Sequence, residues 1–149
     1  IECYSRCLKN IDGASDAHLI ADPQEMKKLV LSNRAQAYLK LKAHGKAYDD
    51  ANRACLIDPG HVKSIGRRGT ACYYLGKFKQ AKVDFISALK LDPDNLGFID
   101  YIKKADERLQ RLKTEAVEKM ERRIMFTDLA EVGFDQHSVR IPVTELHLD

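Results

Sequence analysis

The sequence predicts an all-α fold in which antiparallel helix pairs stack into a superhelix closed by a long C-terminal capping helix. Three observations carry that prediction. The 149-residue chain repeats itself at a spacing of 34 residues: Asn33-Arg34-Ala35-Gln36-Ala37 aligns with Arg67-Arg68-Gly69-Thr70-Ala71, Leu41 with Leu75, Ala47 with Ala81, Asp50 with Asp84, Ala54 with Ala88, and Asp58-Pro59 with Asp92-Pro93. A period of that length signals stacked supersecondary units rather than one closed core. Within each unit apolar and small residues recur at helical spacing, over Leu31 to Leu41 and Ala47 to Ile57, then over Ile65 to Leu75 and Ala81 to Leu91. Finally, 44% of the residues are apolar while the chain holds only 4 Pro, 8 Gly and no Trp, too little punctuation for a β-sandwich.

The elements follow in order. Residues 1–10 read as the second helix of a first repeat, with Tyr4 and Cys7 spaced like Phe85 and Ala88, and its partner helix is expected upstream of Ile1. That helix should present Ile1, Tyr4 and Leu8 to a partner, and Cys3 and Cys7 are expected as small buried packing residues. Cys7 to Asn33 is 33 − 7 = 26 positions, whereas Ala54 to Arg67 is 67 − 54 = 13, so residues 11–22 form an inserted loop centred on Gly13-Ala14-Ser15-Asp16. Asp22 caps the next helix and Pro23 occupies its first turn, where a missing N–H costs nothing. Residues 23–59 make the second repeat and 60–93 the third. Asp58-Pro59 and Asp92-Pro93 end their helices because proline disfavours helical geometry in the residue before it. Gly69, Ala47, Ala54, Ala81 and Ala88 leave room for close helix approach.

Residues 94–125 form the capping helix, with an apolar stripe through Leu96, Ile99, Ile102, Leu109, Leu112, Ala116, Met120 and Ile124 and a charged opposite face; such a terminal element solvates the end of the stack. Glu115 with Lys119 and Glu118 with Arg122 have the favourable i,i+4 arrangement, worth about 0.2–0.5 kcal/mol each. Residues 126–149 lose the 3.6-residue period and read as an extended or disordered tail. In it Val139-Arg140-Ile141-Pro142-Val143 alternates weakly, and Pro142 bars a central strand position.

Composition narrows the function. Lys plus Arg is 25 against 22 Asp plus Glu, a net charge of +3, with the two signs interleaved; this is a solvated helical surface and no nucleic-acid partner is expected. No run approaches the roughly 18 apolar residues of a membrane span, so no membrane is expected either. Cys3, Cys7, Cys55 and Cys72 form no C-x-x-C pair, which suits a reducing, cytoplasmic setting and no metal site. His18, His44, His61, His137 and His147 are scattered, none at an interpretable spacing from a Ser or Cys, and no Gly-rich phosphate loop is present. No cofactor and no catalytic residue is expected.

The third unit resembles the tetratricopeptide repeat family, since Gly69, Leu75-Gly76, Ala81, Phe85, Ala88 and Pro93 stand at that family's spacing; the second departs modestly, with Ala35 and Ala51 for the usual glycine and aromatic. Members that bind chaperone tails carry a carboxylate clamp: a Lys and an Asn from the first unit, an Asn from the second, a Lys and an Arg from the third. The resemblance implies Asn33, Lys63 and Arg67 for the last three. A Lys point charge, an Arg fork and an Asn donor suit a peptide ending in Asp. Thr70, Tyr73 and Tyr74 fall on or near the groove side, where they either touch the peptide or pack between repeats. The implied function is a non-enzymatic co-chaperone or adaptor that grips the acidic C-terminal peptide of a 70-kDa or 90-kDa heat-shock chaperone. The alternatives are an assembly scaffold reading another peptide, or the targeting domain of a longer phosphatase or prolyl isomerase. Self-association is expected through the truncated first repeat or the tail, whose Asp149 would mimic the ligand.

Overall fold

The computed structural model describes residues 1–13 and 22–131, all of whose regular elements are helical. They are α1 (Glu2–Gly13), α2 (Pro23–Lys40), α3 (His44–Ile57), α4 (Val62–Tyr74), α5 (Phe78–Leu91) and α6 (Leu96–Glu131). Each packs on its neighbour in sequence from α1 to α5, and α2 also lies against α4, which is the stacking the 34-residue period demands. None is long and apolar enough to cross a membrane.

Local chemistry sets the boundaries. The Asp22 carboxylate accepts from the N–H groups of Gln24 and Glu25, both at 3.0 Å, and so caps α2. Both hairpin turns close in the same way. Ala43 N–H donates to the Tyr38 carbonyl and Lys42 N–H to that of Leu39, and 34 residues on Lys77 bonds Cys72 and Gly76 bonds Tyr73. This helix ending needs a left-handed residue. Gly76 takes it without strain at φ 75°, whereas Lys42 adopts it at φ 57° despite its Cβ. Asp58 and Asp92 end α3 and α5 in non-helical geometry ahead of their prolines.

Between paired helices the small residues do what their size suggests. Ala35, Ala47, Ala51, Ala54, Ala81 and Ala88 are fully buried. A Cβ on Gly69 would lie 3.1 Å from the Phe85 ring, so the glycine lets α4 and α5 close around the largest fully buried side chain. Burying Phe85 contributes about 3 kcal/mol. Charged forks tie each pair: Arg34 bonds Asp50 at 2.6 and 2.7 Å, and Arg68 bonds Asp84 at 3.0 and 2.8 Å. Lys28, itself buried, reaches Asp58 at 2.8 Å and Glu25 at 2.6 Å, fastening α2 to the turn before α4.

Several expectations need correction. Cys3 and Cys7 are exposed, because α1 turns Tyr4, Ser5, Leu8 and Ile11 toward the stack; only Cys55 and Cys72 are buried. Ile1 is also exposed. Helix α1 runs on through Ile11, Asp12 and Gly13, residues expected in the inserted loop. The capping helix extends six residues past 125, through a stretch without proline or glycine, to Glu131. Its packed face is phased differently too: Phe98, Tyr101, Ile102, Ala105 and Leu109 are covered, while Leu96 and Ile99 are exposed. The Phe85 ring selects the aromatic partners, stacking on Tyr101 at 4.8 Å and meeting Phe98 at 6.0 Å. From Arg111 to Thr127 every side chain is exposed. Glu115 faces Arg111 at 3.9 Å rather than Lys119, and Glu118 faces Arg122 at 3.9 Å as expected. Most of the inserted segment and the tail, with Val139 to Val143 and Asp149, lie outside the described residues.

Candidate functional site

The first helices of successive repeats, α2 and α4, lie side by side, so residues 34 apart share a groove. Arg67 is its centre. Its Nη1 donates to Ser32 Oγ at 2.6 Å and to Asn33 Oδ1 at 3.4 Å, and its Nε to Gln36 Oε1 at 3.2 Å. All three acceptors are neutral. Among the described residues no carboxylate reaches this guanidinium, although burial presses against its charge and pulls its pKa below the usual arginine range, with Tyr4 opposing. Arg34 and Arg68 form the contrast: each holds a buried aspartate in a fork, and that hydrogen bonding raises its pKa.

Lys63 stands one turn before Arg67 and is exposed; Asn33 is exposed one repeat away. Lys63, Arg67 and Thr70 line a cleft of about 220 Å³. Its floor is apolar, made by Gly66 and the rings of Phe85, Phe98 and Tyr101. A Cβ on Gly66 would fall 2.7 Å from the Phe98 ring, so the glycine is what admits the ring to the cleft. Thr70 Oγ1, which also lines the cleft, donates to the Gly66 carbonyl at 2.9 Å. Tyr101 is pushed up to about 12 by burial and by its hydrogen bond with Tyr74, and is neutral at physiological pH.

The structure therefore brings Asn33, Lys63, Arg67 and Thr70 together and separates the other two expected residues. Tyr73 packs inward, edge-on to Phe78 and Tyr101, and Tyr74 stacks on His44 at 4.7 Å outside the cleft. Sequence reasoning missed Ser32, Gln36, Phe98 and Tyr101. Gln36 was within reach, three residues from Asn33 on one helix face. Phe98 and Tyr101 depended on the phase of α6.

Chemically, no acceptor among the described residues bonds Arg67 Nη2, which carries two N–H groups, and Lys63 adds three donors on a mobile stem. That is donor capacity for two carboxylate oxygens beside an apolar floor. Asn33 can add the two N–H donors of its amide, its oxygen being turned to Arg67.

Comparison with known proteins bears on the repeat and its fold. Residues 62–95 match the tetratricopeptide repeat pattern. The chain is 35% identical over 109 residues to RNA polymerase II-associated protein 3 of Rattus norvegicus, covering 73% of this chain and 15% of that protein, so it spans only a small part of that relative. The second TPR domain of human RPAP3, solved in complex with the HSP70 peptide SGPTIEEVD, superimposes with a TM-score of 0.54 at 34% identity, over 69% of this chain and 81% of that one. The first TPR of Spaghetti (RPAP3), bound to the HSP90 peptide SRMEEVD, gives 0.58 at 28% identity over 73% and 82%. Repeat period, helix-pair packing and these likenesses converge, and the chain belongs to the tetratricopeptide repeat family.

Proposed function

We propose that the chain is a co-chaperone or adaptor module that grips the acidic C-terminal peptide of a 70-kDa or 90-kDa heat-shock chaperone, and that it catalyses nothing itself. One observation carries the reading: the half-buried Arg67 guanidinium, set between Lys63 and Asn33, has no carboxylate partner among the described residues, while its neighbours Arg34 and Arg68 each have one. A desolvated cation with only neutral partners gains most from an incoming anion. The apolar floor suits an aliphatic side chain next to the acidic end. The peptides in the two similar complexes end in Glu-Glu-Val-Asp, which combines those features.

The test is a calorimetric titration of the chain with SRMEEVD and SGPTIEEVD, each with a free or an amidated C-terminus. Amidation should weaken binding at least tenfold, and raising salt should weaken the free-acid peptides further. Equal affinity for both forms would remove Lys63 and Arg67 from their role and favour a groove that reads another peptide.

A further inference from the structure

Behind Arg67 lies a line of buried hydroxyls that ends on an imidazole. Ser32 Oγ, which accepts from Arg67, also accepts from Ser64 Oγ at 3.0 Å, and Ser64 Oγ lies 2.7 Å from His61 Nδ1. Ser32 and Ser64 are essentially inaccessible to solvent, at 1% and 0% exposure. With Ser64 donating to Ser32, the lone pair of Ser64 is left to receive Nδ1–H of His61, so the titrating nitrogen of His61 is Nε2. We propose that His61, Ser64 and Ser32 are positioning residues for the Arg67 site, and that they make capture of an acidic peptide tighter as pH falls through the titration of His61. This rests on the carboxylate reading of Arg67.

Two effects give the same sign. A protonated His61 is a stronger donor to Ser64, which in turn donates more strongly to Ser32; the Ser32 oxygen then holds Arg67 Nη1 less firmly and turns that donor toward the ligand. In addition, Arg67 and His61 are like charges once His61 is protonated, and a carboxylate bound on Arg67 relieves the repulsion. By reciprocity, whatever the ligand does to His61 protonation, protonation does to ligand affinity. The other charged groups facing His61 are Lys28 and Glu25 from α2 and Asp58 from the turn before α4. Glu25 and Asp58 are both held by Lys28, at 2.6 and 2.8 Å. Desolvation is the chief reason that His61 titrates below its ordinary range, with Lys28 next and Arg67 adding to it.

The test uses the full chain and two readouts. In calorimetry with SRMEEVD, wild type should bind roughly two- to fivefold tighter at pH 5.5 than at pH 7.5, the size expected for partly screened charges several ångströms apart. The peptide carboxylates stay largely ionised over that range. His61→Gln should bind with less than a twofold pH response and Ser64→Ala with a response smaller than wild type, since it breaks the hydroxyl relay and leaves the charge coupling of His61 to Arg67, both keeping the wild-type helical signal. In NMR, the His61 ring resonance, assigned by its loss in His61→Gln, should titrate below the ordinary value of about 6.5 and move up toward it in Arg67→Ala. A full pH response persisting in His61→Gln overturns the proposal, as does a His61 midpoint unmoved by Arg67→Ala. A wild-type chain that binds no peptide refutes the carboxylate reading instead, and the NMR midpoint then decides the relay by itself.

Discussion

Two adjacent arginines should fail in opposite ways, and Arg67→Ala beside Arg68→Ala puts the site to its sharpest test. Arg67 offers a charge and its Nη2 donors to the groove, and its partners among the described residues are all neutral. Charged hydrogen bonds are worth about 1.5–3 kcal/mol, so alanine should weaken Glu-Glu-Val-Asp peptide binding by roughly 10- to 150-fold. Its effect on folding should stay within about 1 kcal/mol, because three modest bonds are lost while an unneutralised, half-buried charge is removed. Arg68→Ala strands Asp84, whose side chain is 5% exposed. Removing one partner of a buried pair costs about 3–5 kcal/mol, reduced here to about 2–4 because Arg68 itself reaches solvent. At about 4 °C per kcal/mol the melting midpoint should drop by about 8–16 °C, with peptide affinity at low temperature within twofold of wild type. Calorimetric titration and thermal circular dichroism on the same samples read both quantities. If Arg67→Ala melted as early as Arg68→Ala, or bound peptide within twofold of wild type, the distinction between a binding and a tying arginine would be wrong.

Two further outcomes follow. Gly66→Ala should force the half-buried Phe98 ring out of the cleft; the roughly 1–2 kcal/mol of overpacking is largely offset by about 1 kcal/mol of helix propensity, so the melt should move little while peptide affinity falls severalfold, and unchanged affinity would remove Phe98 from the floor. Asp58 is held below its ordinary 3.8 by the Lys28 ammonium and then by the Gly60 N–H, so its stabilisation is complete above about pH 4 and is lost as pH falls through its lower folded value; urea midpoints between pH 5 and 2.5 should decline less steeply in Asp58→Asn than in wild type.

The repeat made most of the fold legible, because a 34-residue period fixes helix pairs, turns and small-residue contacts together. What it did not reveal was which equivalent residues touch. Asp50 and Asp84 were visible as a repeated pair, and so were Arg34 and Arg68, yet the forks join residues 16 apart across a hairpin. Periodicity states equivalence and is silent on contact. Helix α6 was misphased for a related reason. Leu96 and Ile99 match Phe98 and Tyr101 in apolar character, and only the position of the Phe85 ring decides between them. At α1, spacing promised burial for Cys3 and Cys7, but spacing cannot say which face of a helix has a neighbour.

The site itself arises from a one-residue offset within the repeat. Successive residues on a helix point about 100° apart. Arg34 and Arg68 therefore turn toward the second helix of their own unit and meet its aspartate, while the residues just before them, Asn33 and Arg67, turn toward the groove. Of the two described first helices, α2 and α4, it is α4 that places a cation there. In α2 the same position holds a neutral amide, whose oxygen lies 3.4 Å from Arg67 Nη1. Among the described residues the cations lining the cleft are Lys63 and Arg67, one turn apart, where like charges repel by about 0.2–0.5 kcal/mol in an open helix. An anion seated between them removes that repulsion and neutralises the half-buried guanidinium at the same time. Under the proposed function, the carboxylate affinity expected of the groove therefore follows from which residue the repeat sets at this one position.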